Sequence, residues 1–132
     1  MTDDEFLAAL ESGALPETEF RHASHVRAAY LYLTRHGFAE GLAHMTGAIR
    51  GFAAAKGKAG LYHETITVAF VALIHEHMHV RGPGGGWEDF ARANPELLDK
   101  RILSHFYGDD ALRSARARAV FVLPRPAPPA LA

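Results

Sequence analysis

The sequence predicts an all-α, single-domain helical bundle of four main helices followed by two or three short ones. Apolar residues recur at three- and four-residue intervals over most of the chain. Capping residues and glycines punctuate those segments where helices should start and stop. No alternating run flanked by hairpin turns interrupts the pattern. The 132 residues fit one domain, long enough to bury a core without disulfides or a structural metal. A four-helix core is expected over residues 1–80, short helices over 87–119 and an extended Pro-rich tail over 120–132.

The first helix opens on a capping box, Thr2 to Glu5, in which Thr2 caps the amide of Glu5 and Glu5 reaches back. Phe6, Leu7 and Leu10 then face inward, and Gly13 ends the helix. A second helix is expected from about His22 to His36, with Val26, Ala29, Tyr30 and Leu33 as its apolar stripe and Gly37 as its stop. A third covers about Ala39 to Ala55, with Leu42, Met45, Ile49 and Phe52 at helical spacing. The fourth runs from about Tyr62 to Val80 on a stripe of Ile66, Phe70, Leu73, Ile74 and His77. Its β-branched residues also suit a strand, but the long three–four spacing favours helix. "RGPGGG" at 81–86 then breaks the chain. Beyond it come a short helix at Trp87–Ala93 and one capped by Asn94, with Pro95 at its first position and Gly108 past its end. A last helix, capped by Asp109 or Asp110, reaches about Ala119, and "LPRPAPPA" is extended.

Composition narrows the chemistry. Without Cys there are no disulfides, iron–sulfur clusters, thiolate metal sites or Cys nucleophile. Lys plus Arg is 14 against 15 for Asp plus Glu, so the overall balance carries no nucleic-acid signal. The charge is uneven: residues 1–19 are acidic and 113–125 basic, runs that can attract each other or simply form solvated faces. There is no Gly-x-Ser-x-Gly elbow and no phosphate loop. The N-terminal stretch is acidic, without the basic flank and apolar core of a signal peptide, and the apolar run at 68–74 is too short to span a bilayer. The expectation is a cytoplasmic protein with a small-molecule substrate, no nucleic-acid or membrane partner, and a homodimer as an option.

Nine His in a chain of this size direct attention to metal chemistry. "HEHMH" at 75–79 matches His-Glu-x-x-His, in which His75 and His79 share a zinc ion one helical turn apart and Glu76 serves as general base. Three features weaken that reading. Gly85 stands where the extended signature has its third His, leaving Glu96 as the best-placed substitute ligand. No sheet precedes the segment. Histidines at a helix C-terminus are also favoured by the helix dipole alone.

A second cluster is more promising. His22 and His25, at i and i+3, lie on one face at the start of the second helix. His63, in "YHET", lies on the same side as Ile66, Thr67 and Phe70, with Glu64 about 100° away around the axis. In an up-down bundle the second and fourth helices start at the same end, so His22, His25 and His63 can converge there as a mononuclear metal site with an open position. Glu64 is then a fourth ligand, a general base or an orienting acceptor. Tyr62 and Thr67 would supply hydrogen bonds to a substrate. The plainer alternative makes His22 a surface residue and His63 a satisfied core histidine.

The stretches "FRHASHVR", "GLYHETIT" and "ANPELLDKRILSHFY" together resemble an uncharacterised family of small bacterial proteins with F-x-H-x-x-H and Y-H-E-T motifs. The resemblance spans most of residues 20–126. It implies that these two motifs are the signature and "HEHMH" a private variation. It also draws Lys100 and Tyr107 toward the site as a cation and a phenol. Leu61 stands where the pattern has Lys, which implies a different substrate if that Lys holds an anionic group.

The leading expectation is a metal-dependent enzyme acting on a small molecule. His22, His25 and His63 bind a divalent metal, and Glu64 and Tyr62 are the catalytic groups. Thr67, Lys100 and Tyr107 contact substrate. Zinc would bring hydrolytic or lyase chemistry and copper or iron oxidative chemistry. The alternatives are a non-catalytic helical interaction module and a zinc hydrolase at 75–79.

Overall fold

The computed structural model describes residues 1–125. Among them every regular element is helical: α1 (Asp3–Ser12), α2 (His22–Ala55), α3 (Glu64–Arg81), α4 (Trp87–Ala93), α5 (Asp109–Arg113) and α6 (Ala115–Ala119), joined in part by short 3-10 turns. The all-α bundle is therefore the observed architecture. Among the described residues, no helix is long and apolar enough to cross a membrane. Of the tail expected over 120–132, residues 121–125 carry no regular element, and residues 126–132 lie outside the described residues.

The start of α1 is the expected capping box: the Glu5 amide donates to Thr2 Oγ1 at 3.1 Å, and the Thr2 amide donates to the Glu5 carboxylate at 3.4 Å. Gly13 closes the helix in the left-handed region at φ 79°. Phe6, Leu7 and Leu10 are buried against α2, and the Arg27 guanidinium lies over the Phe6 ring while pairing with Asp3 at 2.7 Å.

The expected second and third helices are two arms of α2, divided at Gly37, whose φ of 79° and ψ of −172° are non-helical. Residues eight apart on a straight helix are separated by about 12 Å of rise. Here the rings of His36 and His44 stack with centroids 4.0 Å apart, so the chain doubles back at Gly37. Gly41 lets the corner close, because a Cβ there would lie 3.0 Å from the Tyr32 carbonyl oxygen. The reversal buries Tyr30, Leu31, Tyr32 and Leu33 of the first arm together with Met45 and Phe52 of the second. Tyr32 donates its hydroxyl to Glu11, which ties α1 to this corner.

α3 packs against both arms. Its N-cap is His63: the Nδ1 atom accepts the Ile66 amide at 3.1 Å. Thr65, fully buried, donates to the Val120 carbonyl and accepts the Val122 amide, which straps the extended 120–122 segment along the helix. The Tyr107 hydroxyl donates to Val122 O at 2.7 Å on the same segment.

The C-terminal part departs from expectation in two places. The helix expected after Asn94 is replaced by two 3-10 turns, Pro95–Leu98 and Lys100–His105. Asn94 makes no side-chain cap. It is buried, donating to Phe90 O and accepting from Arg81, with His77 Nδ1 at 2.9 Å from the same Oδ1. A polar side chain satisfied by the core cannot also serve the helix start. Asp99 breaks the segment again by capping Arg101. The last expected helix divides into α5 and α6 at Ser114, whose hydroxyl caps the Ala117 amide. The oppositely charged ends do not pair with each other through the contacts seen. Asp4 pairs with Arg35 and Glu17 with Lys58, whereas Arg118 donates to the carbonyls of Gly60 and Leu61.

Two glycines of α2 should respond in opposite ways to Ala. Gly37→Ala places a Cβ on left-handed backbone and is expected to cost about 1–3 kcal/mol. Gly47→Ala meets open space in a helix interior and should stabilise by up to about 1 kcal/mol. Urea unfolding of the two variants checks both signs.

Candidate functional site

A cavity of about 530 Å³ opens between the two arms of α2 and α3. Its apolar wall comes from Val26 and Ala29 on the first arm, Met45 and Ile49 on the second, and Ile66 and Phe70 on α3. His22, His25, Tyr62, His63 and Thr67 line it as well, and Lys100, Arg101, Ser104 and Asp109 supply its remaining polar groups. Ligand cavities usually measure about 300–1,000 Å³ and combine such an apolar wall with a few polar groups.

The structure thus brings the three expected histidines to one cavity, each held differently. His22 donates Nε2–H to the Leu97 carbonyl at 2.9 Å, which leaves Nδ1 as its lone-pair nitrogen in the neutral ring. Its ring leans on Phe70 with centroids 4.8 Å apart. His25 stacks on Phe20 at 3.9 Å. Burial, reinforced by the neighbouring His22 and opposed by a backbone hydrogen bond at Phe20, brings the His25 pKa down to about 4, so the ring is neutral at pH 7. His63 is engaged at both nitrogens. Nδ1 accepts the Ile66 amide, so the hydrogen sits on Nε2 and is donated to Leu112 O at 2.6 Å. A metal on His63 would displace one of these contacts. Among the described residues, no group of three His, Cys, Asp or Glu side chains is arranged to hold a metal ion.

Glu64 and Tyr62 form a pair. The Tyr62 hydroxyl donates to Glu64 Oε1 at 2.5 Å, and Arg50 joins them, 3.4 Å from that oxygen with its guanidinium over the Tyr62 ring. Burial, together with the hydrogen bond to Glu64, pushes the Tyr62 phenol up to about 12. Tyr62 reaches the cavity, while Glu64 is turned toward Arg50 and outside the cavity lining. Thr67 lines the cavity with its hydroxyl donated to His63 O. Lys100 stands in the lining as expected, but Tyr107 is spent on the 120–122 segment and does not reach the cavity.

Sequence reasoning missed Met45 and Ile49, which enter only because α2 doubles back, and Arg50, which carried no motif. It also missed Arg101 and Ser104, brought in by a 3-10 turn where a regular helix was expected, and Asp109, at the start of α5. Arg101 is committed to Asp99 through two hydrogen bonds from its side chain.

The "HEHMH" segment is elsewhere, on the last turns of α3. His75 and His79 meet through their Nε2 atoms at 3.1 Å. Glu96 pairs with Arg81 at 2.6 Å and faces His77 at 3.4 Å, so it is not their third ligand. No strand lies among the described residues to hold a peptide. In comparisons with known proteins, no family model, curated protein or solved structure matches this chain.

The depressed His25 pKa makes folding stability depend on pH. The folded-state value of about 4 lies below the ordinary 6.5, so the unfolded chain binds the proton more readily between them. Stability from this group is complete above about pH 6.5 and is lost as the pH falls toward about 4. The loss is up to about 3 kcal/mol. Denaturant midpoints of wild type and His25→Gln between those values check it. The variant's profile should be flatter, and parallel profiles would rule the assignment out.

Proposed function

We propose that this protein is an enzyme for a small molecule that has an apolar body and an acidic head group, bound between the arms of α2 and α3. The observation that carries the reading is the convergence of His22, His25, His63 and Tyr62 on one apolar cavity. Met45, Ile49, Ile66 and Phe70 suit the apolar body. Lys100 suits the acidic head: it has no ion pair among the described residues, whereas Arg101 is held by Asp99. His22 is the general base. Its Nε2–H is fixed on Leu97 O, which orients the ring and leaves Nδ1 to take a proton. His25, kept neutral by burial, is a polar contact for the reacting group that adds no charge to the apolar wall. Tyr62 stays protonated at neutral pH with its hydrogen held by Glu64, so its oxygen faces a bound molecule as an acceptor, and His63 positions α3 through its cap. A cytoplasmic setting fits this chemistry.

A metal-assisted version of the same site has its own support, because His22 and His25 are neighbours on one turn of helix and both line the cavity. In that version zinc, copper or iron sits on these two rings, and His63 joins only by giving up its cap or its bond to Leu112.

Calorimetry with octanoate and 1-octanol tests the binding half. Octanoate should bind more tightly than the alcohol, and Ile49→Trp, which fills the cavity, should abolish both. Lys100→Ala should weaken octanoate roughly fivefold and leave the alcohol unchanged, the size of one solvent-exposed charge pair. Unchanged octanoate affinity in Lys100→Ala would remove the acidic head from the proposal. Failure of both probes to bind would remove the cavity as a small-molecule site and favour the interaction module. Repeating the titration with one equivalent of zinc separates the two versions of the mechanism: the metal-assisted one requires octanoate affinity to rise with zinc in wild type and not in His25→Ala.

A further inference from the structure

The protein has three close imidazole contacts outside the reading above or beside it, and they differ in a way that matters for metals. His36 and His44 stack face to face, with ring planes only 9° apart, so their nitrogens lie side by side in parallel planes. His77 is turned into the Asn94 and Glu96 contacts. His75 and His79 alone bring nitrogen to nitrogen: the two Nε2 atoms are 3.1 Å apart, with ring planes at 61°.

We propose that His75 and His79 form a two-histidine chelate for a divalent transition-metal ion on the exposed face of α3, separate from the cavity. Metal–imidazole bonds measure about 2.0–2.1 Å, so nitrogens 3.1 Å apart subtend roughly 100° at a shared ion, between the octahedral and tetrahedral angles. In the metal-free protein one ring donates to the other. For both Nε2 atoms to bind an ion, the donor ring's hydrogen moves from Nε2 to Nδ1 by exchange with water, so the neutral pair offers two lone pairs with no net loss of protons. The lone pairs must swing from each other toward the ion, a change in the last side-chain torsion, whose energy profile is broad for imidazoles. The helix holds the spacing, since residues four apart sit one above the other. Phe38, with its ring centroid 4.8 Å from that of His75, limits the ring on one side. Water completes the coordination, because no third His, Cys, Asp or Glu joins the pair among the described residues. Copper(II) is the expected favourite among first-row divalent ions at a nitrogen site, followed by nickel and zinc.

The site lies in the last two turns of α3, directly before Gly82 and the Gly-rich turn. A cross-link from one turn to the next opposes fraying there, and an ion that binds only the folded helix raises the melting temperature. This is a different role from that of a His-Glu-x-x-His zinc hydrolase, which needs a third protein ligand and a general base on the bound water.

The test is titration of the full chain, purified without a His tag, with copper(II) followed by calorimetry and electron paramagnetic resonance. The expected result is one ion bound tightly per chain, with two equatorial imidazole nitrogens in the spectrum and a rise in Tm of a few degrees. His79→Ala, a change at an exposed side chain, should weaken binding at least tenfold and abolish the Tm rise. His44→Ala should leave both intact. The proposal is overturned if copper does not bind, if binding survives in His79→Ala, or if it is lost in His44→Ala. His75→Ala must reproduce the His79→Ala result. Because octanoate binding is read separately, failure of the chelate leaves the cavity assignment standing, and the reverse also holds.

Discussion

The reversal at Gly37 is the constraint on which the rest of the structure depends. A continuous helix from residue 22 to 55 would be about 50 Å long and could not bury both halves of its stripe against one partner. Turning at Gly37 lays the two arms side by side and gives α3 a groove to fill. The cost is a backbone conformation that only glycine adopts freely. The return is a core in which Tyr32, Leu33 and Met45 share one interior. The cavity follows from the same turn, since its walls are Val26 and Ala29 on one side and Met45 and Ile49 on the other.

Two imidazole-to-carbonyl bonds then close the cavity end. His22 reaches Leu97 in a 3-10 turn and His63 reaches Leu112 on α5, and each links the bundle to the C-terminal part. His63 does this while also capping α3, so one ring fixes the helix start and the turn above it. Such a doubly engaged histidine is an organiser of the site, and the more available nitrogens for chemistry are those of His22 and His25. The strap held by Thr65 and Tyr107 performs the same service on the other side of α3, joining residues 120–122 to the helix through hydroxyl groups.

The string "HEHMH" shows how a motif depends on its surroundings. The spacing that zinc enzymes use does put two imidazoles together, as helix geometry requires. The Glu between them and the carboxylate downstream take no part, and Glu96 is claimed by Arg81. What the structure shows there is a pair of neighbouring imidazoles.

The helical class, the capping box at Thr2, the break at Gly37 and the short helix at Trp87–Ala93 were legible in the sequence, because each rests on contacts within a few residues. The placement of His22, His25 and His63 around one space also followed from helix phase and the up-down order. Tertiary structure alone decided the rest. Asn94 looked like a cap and became a buried partner of His77 and Arg81, because a core amide is satisfied by whatever packs against it. Tyr107 looked like a site phenol and became the anchor of a distant strap. Above all, the nitrogens of His63 were committed to Ile66 and Leu112, the second 49 residues away, and no local rule foretells a hydrogen bond across that separation. The sequence by itself determined which residues are helical and which can reach the cavity. Packing determined which of their polar atoms are left free to act there, because a hydrogen bond made to one partner is withdrawn from every other.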